Sequence, residues 1–217
     1  MRLDHVERGL ENLQRDFPLQ ARISNEPELI QRTYTQILRF WIVKSNPPSA
    51  QHFPEAALRR LIALDAVVSS AEGLGAYPFS AKETSIRVAH GKHRPTFAMC
   101  AVDALAIPLF WKSLVHLESR CHACGVGIEL DLGPCVDSPC AVDAPFVFMH
   151  FLNRQTRTEH PACSGLCTAI YFLCPDCARN LTDAVYTLQE AQCIGQMFFA
   201  FQTTLLQAFP ERQENGS

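Results

Sequence analysis

Two Cys-x-x-Cys pairs, Cys121-His122-Ala123-Cys124 and Cys174-Pro175-Asp176-Cys177, constrain this chain more than any other feature. Each pair can turn two sulfurs toward one ion, and Gly125 directly after the first permits the tight turn that this needs. Four thiolates meeting at one point make a closed tetrahedral site, structural rather than catalytic, and zinc is its expected occupant. The same spacing also admits four reduced, buried cysteines or two disulfide-prone pairs. The chain carries ten cysteines in 217 residues. Its N-terminus, Met1-Arg2-Leu3-Asp4-His5, opens a polar amphipathic segment without an apolar signal-peptide core, and no run is long enough to span a membrane. The expectation is a cytoplasmic protein, where many cysteines favour metal binding or catalysis over disulfides.

A second feature is the run Thr96-Phe97-Ala98-Met99-Cys100-Ala101-Val102-Asp103-Ala104-Leu105-Ala106-Ile107-Pro108. It sets a thiol and a carboxylate three residues apart in an apolar stretch. A helix beginning near Met99 would place Cys100 and Asp103 on one face. The helix dipole favours a thiolate at the first turn, whereas the neighbouring carboxylate disfavours it. Such a pair tends to hold one shared proton, which suits a site that binds something soft and later delivers that proton. The plainer reading is a buried helix with a small thiol inside it. Pro108 is expected to kink or end the helix.

The periodicities predict an α+β fold with two parts. Residues 1–80 read as a helical N-terminal domain. Val6, Leu10, Leu13 and Phe17 form one helical stripe, closed by Pro18. A second helix, with Asn25 as cap and Pro27 in its first turn, carries Ile30, Tyr34, Ile37, Leu38 and Trp41 up to Asn46-Pro47-Pro48. A third begins near Pro54 with Leu58, Leu61 and Ile62. Gly73–Pro78 reads as a turn cluster and Ser85–His90 as a strand. Three helices followed by a hairpin would resemble a winged helix, a fold often used on DNA. Residues 1–80, however, hold nine Lys+Arg against nine Asp+Glu, and the whole chain is at −3. Without a basic stripe the phosphate-neutralising attraction is weak, so no nucleic-acid partner is expected, and this part reads as a packing or lid domain.

Residues 81–217 read as the α+β catalytic domain. After the central helix, residues 119–177 look strand-rich. Ile128, Leu130 and Leu132 alternate with Glu129 and Asp131, and Pro145–Leu152 and Leu166–Leu173 are further strands, with Cys167 on the second. Residues 178–210 return to helix through Leu181, Val185, Leu188, Ile194, Phe198 and Leu205, and Glu211–Ser217 form a polar tail. Cys135, Cys140 and Cys163 fall in loop-like segments with no partner pattern, and Cys193 is most simply core. The order of knuckle, hairpin and two ligands at a helix start resembles a treble-clef zinc finger with an enlarged hairpin. The overall expectation is a winged-helix-like helical part followed by an antiparallel β core of treble-clef-like character flanked by helices.

The sequence also resembles the alkylmercury (organomercurial) lyases. The similarity is carried by Phe97–Leu105, by Ser119-Arg120-Cys121 and by Cys167–Cys174, with weaker support from Leu188–Gln196. It runs from about Tyr77 to the C-terminus. The family's catalytic set is a Cys-x-x-Asp pair plus a distant cysteine, which map onto Cys100, Asp103 and Cys167. Tyr171 and Leu173 depart from the residues common around the second cysteine, and the full four-cysteine set is not general in the family. The resemblance implies protonolytic cleavage of R–Hg–X to R–H and Hg(II), with mercury held between Cys100 and Cys167. It implies no organic cofactor. A thiol serves as co-reactant, and a thiol or mercuric-reductase-type acceptor takes the Hg(II). Structural zinc would sit at Cys121, Cys124, Cys174 and Cys177. Phe97, Met99, Phe146, Phe148 and Phe172 are candidates for an apolar pocket around the organic group. Mercury resistance and detoxification would be the role.

Two rival readings make different demands. A non-catalytic zinc-finger interaction module, able to bind mercury through its thiols, would leave Cys100, Asp103 and Cys167 scattered through the core. A cysteine hydrolase would need a histidine base, and His90, His93, His116, His150 and His160 show no spacing that nominates one.

Overall fold

The computed structural model describes residues 1–134, 144–151, 162–181 and 184–210. Cys135, Cys140, His160, most of the expected Asn153–Ser164 loop and the Glu211–Ser217 tail lie outside them.

The chain opens with α1 (Leu3–Asp16) and a short α2 (Leu19–Ser24), followed by α3 (Glu28–Lys44) and α4 (Glu55–Ala63). The expected stripes point inward: Val6, Leu13 and Phe17 are buried, as are Ile30, Tyr34, Ile37, Leu38 and Trp41. Asn25 does not cap α3. The short α2 runs up to it, and Pro27 occupies the N-cap position, where the lack of an N–H costs nothing. Ser45, in the left-handed region at φ 50°, ends α3. Trp41 anchors α3 to the sheet, donating from Nε1 to the Leu74 carbonyl at 3.0 Å while its ring stacks on Phe79.

Residues 1–80 are not helical throughout. Strands β1 (Val67–Ser70), β2 (Gly73–Ala76) and β3 (Phe79–Ser80) follow α4. The glycines of β2 weaken a strand pattern read along the chain, but full pairing with β1 overrides that preference. Next come β4 (Arg87–Ala89), β5 (Thr96–Ala98), α5 (Ala101–Trp111), β6 (Val115–Arg120) and β7 (Gly127–Leu132). The first seven strands form one antiparallel sheet in the order β1-β2-β3-β5-β4-β6-β7. Strands from both sides of residue 80 therefore share it.

Helix α5 is buried on nearly every side and runs through Pro108 to Trp111. Packing against the C-terminal helix and strands β3 and β5 compensates for the backbone bond that proline removes. A second sheet, order β10-β8-β9, combines β8 (Phe146–Met149), β9 (Ile170–Leu173) and β10 (Val185–Thr187). Two expectations fail here. Leu166–Ala169 is a 3₁₀ turn, not the first half of a strand, because Thr168 closes on Gly165 through both its N–H (3.2 Å) and its hydroxyl (2.7 Å). Cys167 thus sits on a turn. Val185 does not begin a helix, since Val185–Thr187 pairs with the free edge of β8.

Between β9 and β10 lies the short α6 (Pro175–Ala178), and α7 (Leu188–Ala208) closes the fold. Thr187 and Glu190 form a capping box at the start of α7. Glu190 also receives Arg2, at 2.9 Å from its Nε and 2.8 Å from its Nη2, so α7 is tied to the first residues of the chain. Gly195 lets α7 approach α5, since a Cβ there would lie 2.7 Å from the Val102 carbonyl. Among the described residues, no helix is long and apolar enough to cross a membrane.

Candidate active site and cysteine knuckle

Strand β5 ends at Ala98, and Cys100 follows as the N-cap of α5 in extended conformation, with Asp103 at the third helical position. The helix thus starts later than Met99, and the two residues face each other across its first turn instead of along one helical face. The Cys100 sulfur makes no cap hydrogen bond. The N–H of Asp103 nevertheless favours the sulfur anion, and the N–H of Cys100 favours the carboxylate. The 3₁₀ turn brings Cys167 in from a chain position 64 residues away, its Sγ 3.7 Å from Asp103 Oδ2. One ligand atom from each of Cys100, Asp103 and Cys167 lies within 4.8 Å of the others.

All three groups are buried, at 4 %, 4 % and 8 % exposure. No cation lines their pocket among the described residues. Burial therefore pushes all three toward their neutral forms, and it is the largest cause for Cys100 and Asp103. Burial pushes the Asp103 carboxyl up from 3.8 to about 7 despite the hydrogen bonds that favour its anion. Burial likewise raises the Cys100 thiol. The Cys167 thiol is raised well above 9.0, first by its hydrogen bond with Cys100 and then by burial. The resting cluster is thus two thiols and a carboxyl group that readily exchanges its proton near neutrality. The side chains present a soft two-sulfur clamp with a proton donor beside it.

The pocket walls come from elements that sequence periodicity does not connect. Leu13 of α1, Phe17 directly after that helix, Tyr77 from the β2–β3 turn, Leu166, Ile170 of β9, and Phe198 and Phe199 of α7 enclose the cluster. None of the five side chains expected to form an apolar pocket is among them. Phe172 is buried in the core, Phe97 lines a different cleft, and Phe148 of β8 stacks on Tyr171. Met99 and Phe146 are only partly buried, packed against the core. The remaining free space is a cavity of about 10 Å³, room for about one water.

Asp65 and Tyr77 hold the segment that carries Cys167. The Asp65 carboxylate accepts from the Ala162 N–H at 2.7 Å and from the Tyr77 hydroxyl at 3.1 Å, while that hydroxyl accepts from the Cys163 N–H at 2.8 Å. Asp65 sits at φ 54°, in the left-handed region, and its carboxylate lies 3.6 Å from Arg22 Nη1. Nothing in the local sequence signals this clamp, which joins residues nearly a hundred positions apart. No histidine lines the pocket among the described residues. His90 stacks between His93 and Trp111, His116 bonds Asp131, and His150 lies near Phe148.

Four further cysteines form a separate cluster at the far end of β9. One sulfur from each of Cys121, Cys124, Cys174 and Cys177 lies within 4.8 Å of the others. The first pair sits on the β6–β7 connection, where the Cys121 N–H bonds the Val126 carbonyl and the Gly125 N–H bonds the Cys121 carbonyl, both at 2.8 Å. Gly125 takes φ 76°, which explains a glycine there. Cys174 is the N-cap of α6, and Cys177 follows one turn later. Cys163 and Cys193 belong to neither cluster.

Residues 79–180 match the alkylmercury lyase (MerB) family. The fold is similar to that of MerB2 in the crystal structure of its mercury-bound form. The TM-score is 0.63 at 18 % sequence identity, over 88 % of this chain and 99 % of that one. No curated protein sequence matches the chain significantly. The matched stretch, just under half of the chain, is where the similarity to that family lies, and it contains Cys100, Asp103, Cys167 and the four knuckle cysteines.

Proposed function

We propose that this protein is an organomercurial lyase that breaks the carbon–mercury bond by protonolysis, with Cys100, Asp103 and Cys167 as its catalytic residues. The observation that carries this reading is the convergence of two thiols and one carboxyl in a single buried pocket, apart from the four-cysteine cluster. A scattered arrangement would have favoured the interaction-module alternative.

Cys100 attacks first in this scheme, because the N-terminus of α5 and the Asp103 N–H favour its thiolate. Its sulfur bonds mercury in R–Hg–X, X⁻ leaves, and the thiol proton departs with it to solvent. Cys167 then adds its sulfur to mercury and passes its proton to the Asp103 carboxylate, 3.7 Å away. Two sulfur donors raise electron density at mercury and on the attached carbon. The Asp103 carboxyl protonates that carbon as the C–Hg pair of electrons goes to it. R–H forms, and Hg(II) remains between the two sulfurs. Two external thiols exchange for Cys100 and Cys167, which take up protons again. The acceptor is a small thiol or a mercuric-reductase-type protein, and mercury detoxification in a reducing cytoplasm is the role. A cavity of about 10 Å³ cannot hold an alkyl or aryl mercurial, so the walls supplied by α1 and the Leu166 turn must part for the substrate.

The test is hydrocarbon release from phenylmercury and methylmercury in excess thiol. Wild type should give benzene and methane, and Cys100→Ser, Asp103→Ala and Cys167→Ser should give none. Tight mercury binding by wild type without hydrocarbon would overturn the proposal.

A further inference from the structure

We propose that Cys121, Cys124, Cys174 and Cys177 bind one zinc ion, and that this ion fixes the position of the strand leading from Cys167. The donor set is four sulfurs contributed by two chain segments, with no carboxylate or imidazole among them. A tetrahedral Zn–S₄ centre with bonds of about 2.3 Å has sulfur–sulfur edges of about 3.8 Å. The Cys124 and Cys174 sulfurs are 3.7 Å apart, and every pair in the cluster is within 4.8 Å, so the side chains already stand near such a tetrahedron. The backbone is built for it. The Gly125 turn presents the first pair, while the start of α6 presents the second. All four positions of a tetrahedral ion are filled by protein, which leaves no place for a reacting molecule.

The location gives the ion its task. Strand β9 begins directly after the 3₁₀ turn that holds Cys167 and ends at Cys174. Beside the sulfurs, the His122 N–H bonds the Phe172 carbonyl at 3.0 Å and so joins the knuckle to β9. An ion bridging the two pairs pins the far end of β9 to the β6–β7 hairpin, and β9 transmits that register to Cys167. The zinc site itself stands independently of the lyase reading, whereas the consequence for mercury chemistry rests on it.

The experiment begins with metal analysis of the full chain expressed in zinc-supplemented medium. About one zinc per chain is expected in wild type and equally in the Cys100→Ser/Cys167→Ser variant, with loss in Cys124→Ser/Cys177→Ser. If the latter fails to fold, Co(II) titration of reduced wild type answers the same question. Thiolate-to-cobalt charge-transfer and tetrahedral d–d bands should saturate at one equivalent, and zinc should abolish them. Hydrogen exchange across residues 170–173 should quicken when zinc is stripped by a chelator. Iron in place of zinc, a metal-free wild type that gives no tetrathiolate cobalt spectrum, or zinc that disappears with Cys100 and Cys167 would each overturn the proposal. Zinc retained in the Cys100→Ser/Cys167→Ser variant, with no hydrocarbon from wild type, would sink the lyase reading and leave the zinc site standing.

Discussion

Replacing Asp103 with asparagine should make the protein more stable as pH rises while abolishing C–Hg cleavage. The folded chain holds the Asp103 proton up to about 7, whereas the unfolded chain releases it near 3.8. Between those values the folded state binds more protons. The stability associated with the neutral carboxyl is therefore complete below about pH 4 and lost as pH rises through about 7. At 1.36 kcal/mol per unit, a displacement of about three units costs wild type about 4 kcal/mol at pH 8 and only about 2 kcal/mol at pH 5. Asparagine keeps the shape and cannot ionise, so the difference between variant and wild type isolates this one group. Lost hydrogen bonds shift that difference by a constant and leave its slope intact. Urea unfolding with an unchanged m value, run from about pH 4 to pH 8, should show Asp103→Asn gaining about 4 kcal/mol relative to wild type. In thermal unfolding this is on the order of 10 °C for a chain of this size. A difference that is flat across the range, or that shrinks with rising pH, would refute the buried, proton-holding carboxyl.

Gly195→Ala puts a methyl carbon 2.7 Å from the Val102 carbonyl and should cost about 1–3 kcal/mol in urea unfolding. Its displacement of the first turn of α5 should also lower hydrocarbon release. Tyr77→Phe leaves the Cys163 N–H without its acceptor and should cost about 1–3 kcal/mol. It should reduce kcat for phenylmercury several-fold by loosening the Cys167 segment, an effect that unchanged kinetics would exclude. Burial raises the Glu190 carboxyl, but Arg2 and the N–H groups of Arg2 and Thr187 outweigh burial and bring it from 4.5 down to about 2. Its contribution is present above about pH 4.5 and lost as pH falls through about 2. Because Arg2 is half-exposed, Glu190→Gln should cost about 2 kcal/mol at neutral pH, read by the same unfolding assay.

The chemistry of this protein was more legible in the chain than its pocket. Cys100 and Asp103 are near neighbours in sequence, and the knuckle pairs announce themselves through spacing and Gly125, so local rules reach them. Cys167 was reachable through family resemblance, but not its backbone, because a 3₁₀ turn closed by Thr168 on Gly165 looks like strand in an apolar run. Thr187-x-x-Glu190 is a helix-start signal visible in the sequence, yet the apolar period through Leu181 and Val185 masked it. The pocket walls were hidden for a different reason. Leu13, Phe17, Phe198 and Phe199 satisfy ordinary amphipathic stripes, and only the crossing of α1 with α7 makes them neighbours of a thiol. The Asp65–Tyr77 clamp is likewise a product of tertiary structure alone.

The burial of the two converging thiols has one more consequence. Peroxide and alkylating agents attack exposed thiolates, and Cys100 and Cys167 are neither exposed nor ionised at rest. Among the described residues, the sulfurs more accessible to an oxidative burst are those of Cys124, Cys163, Cys174, Cys177 and Cys193. A chain stressed in this way keeps the two thiols that converge on Asp103 in reserve.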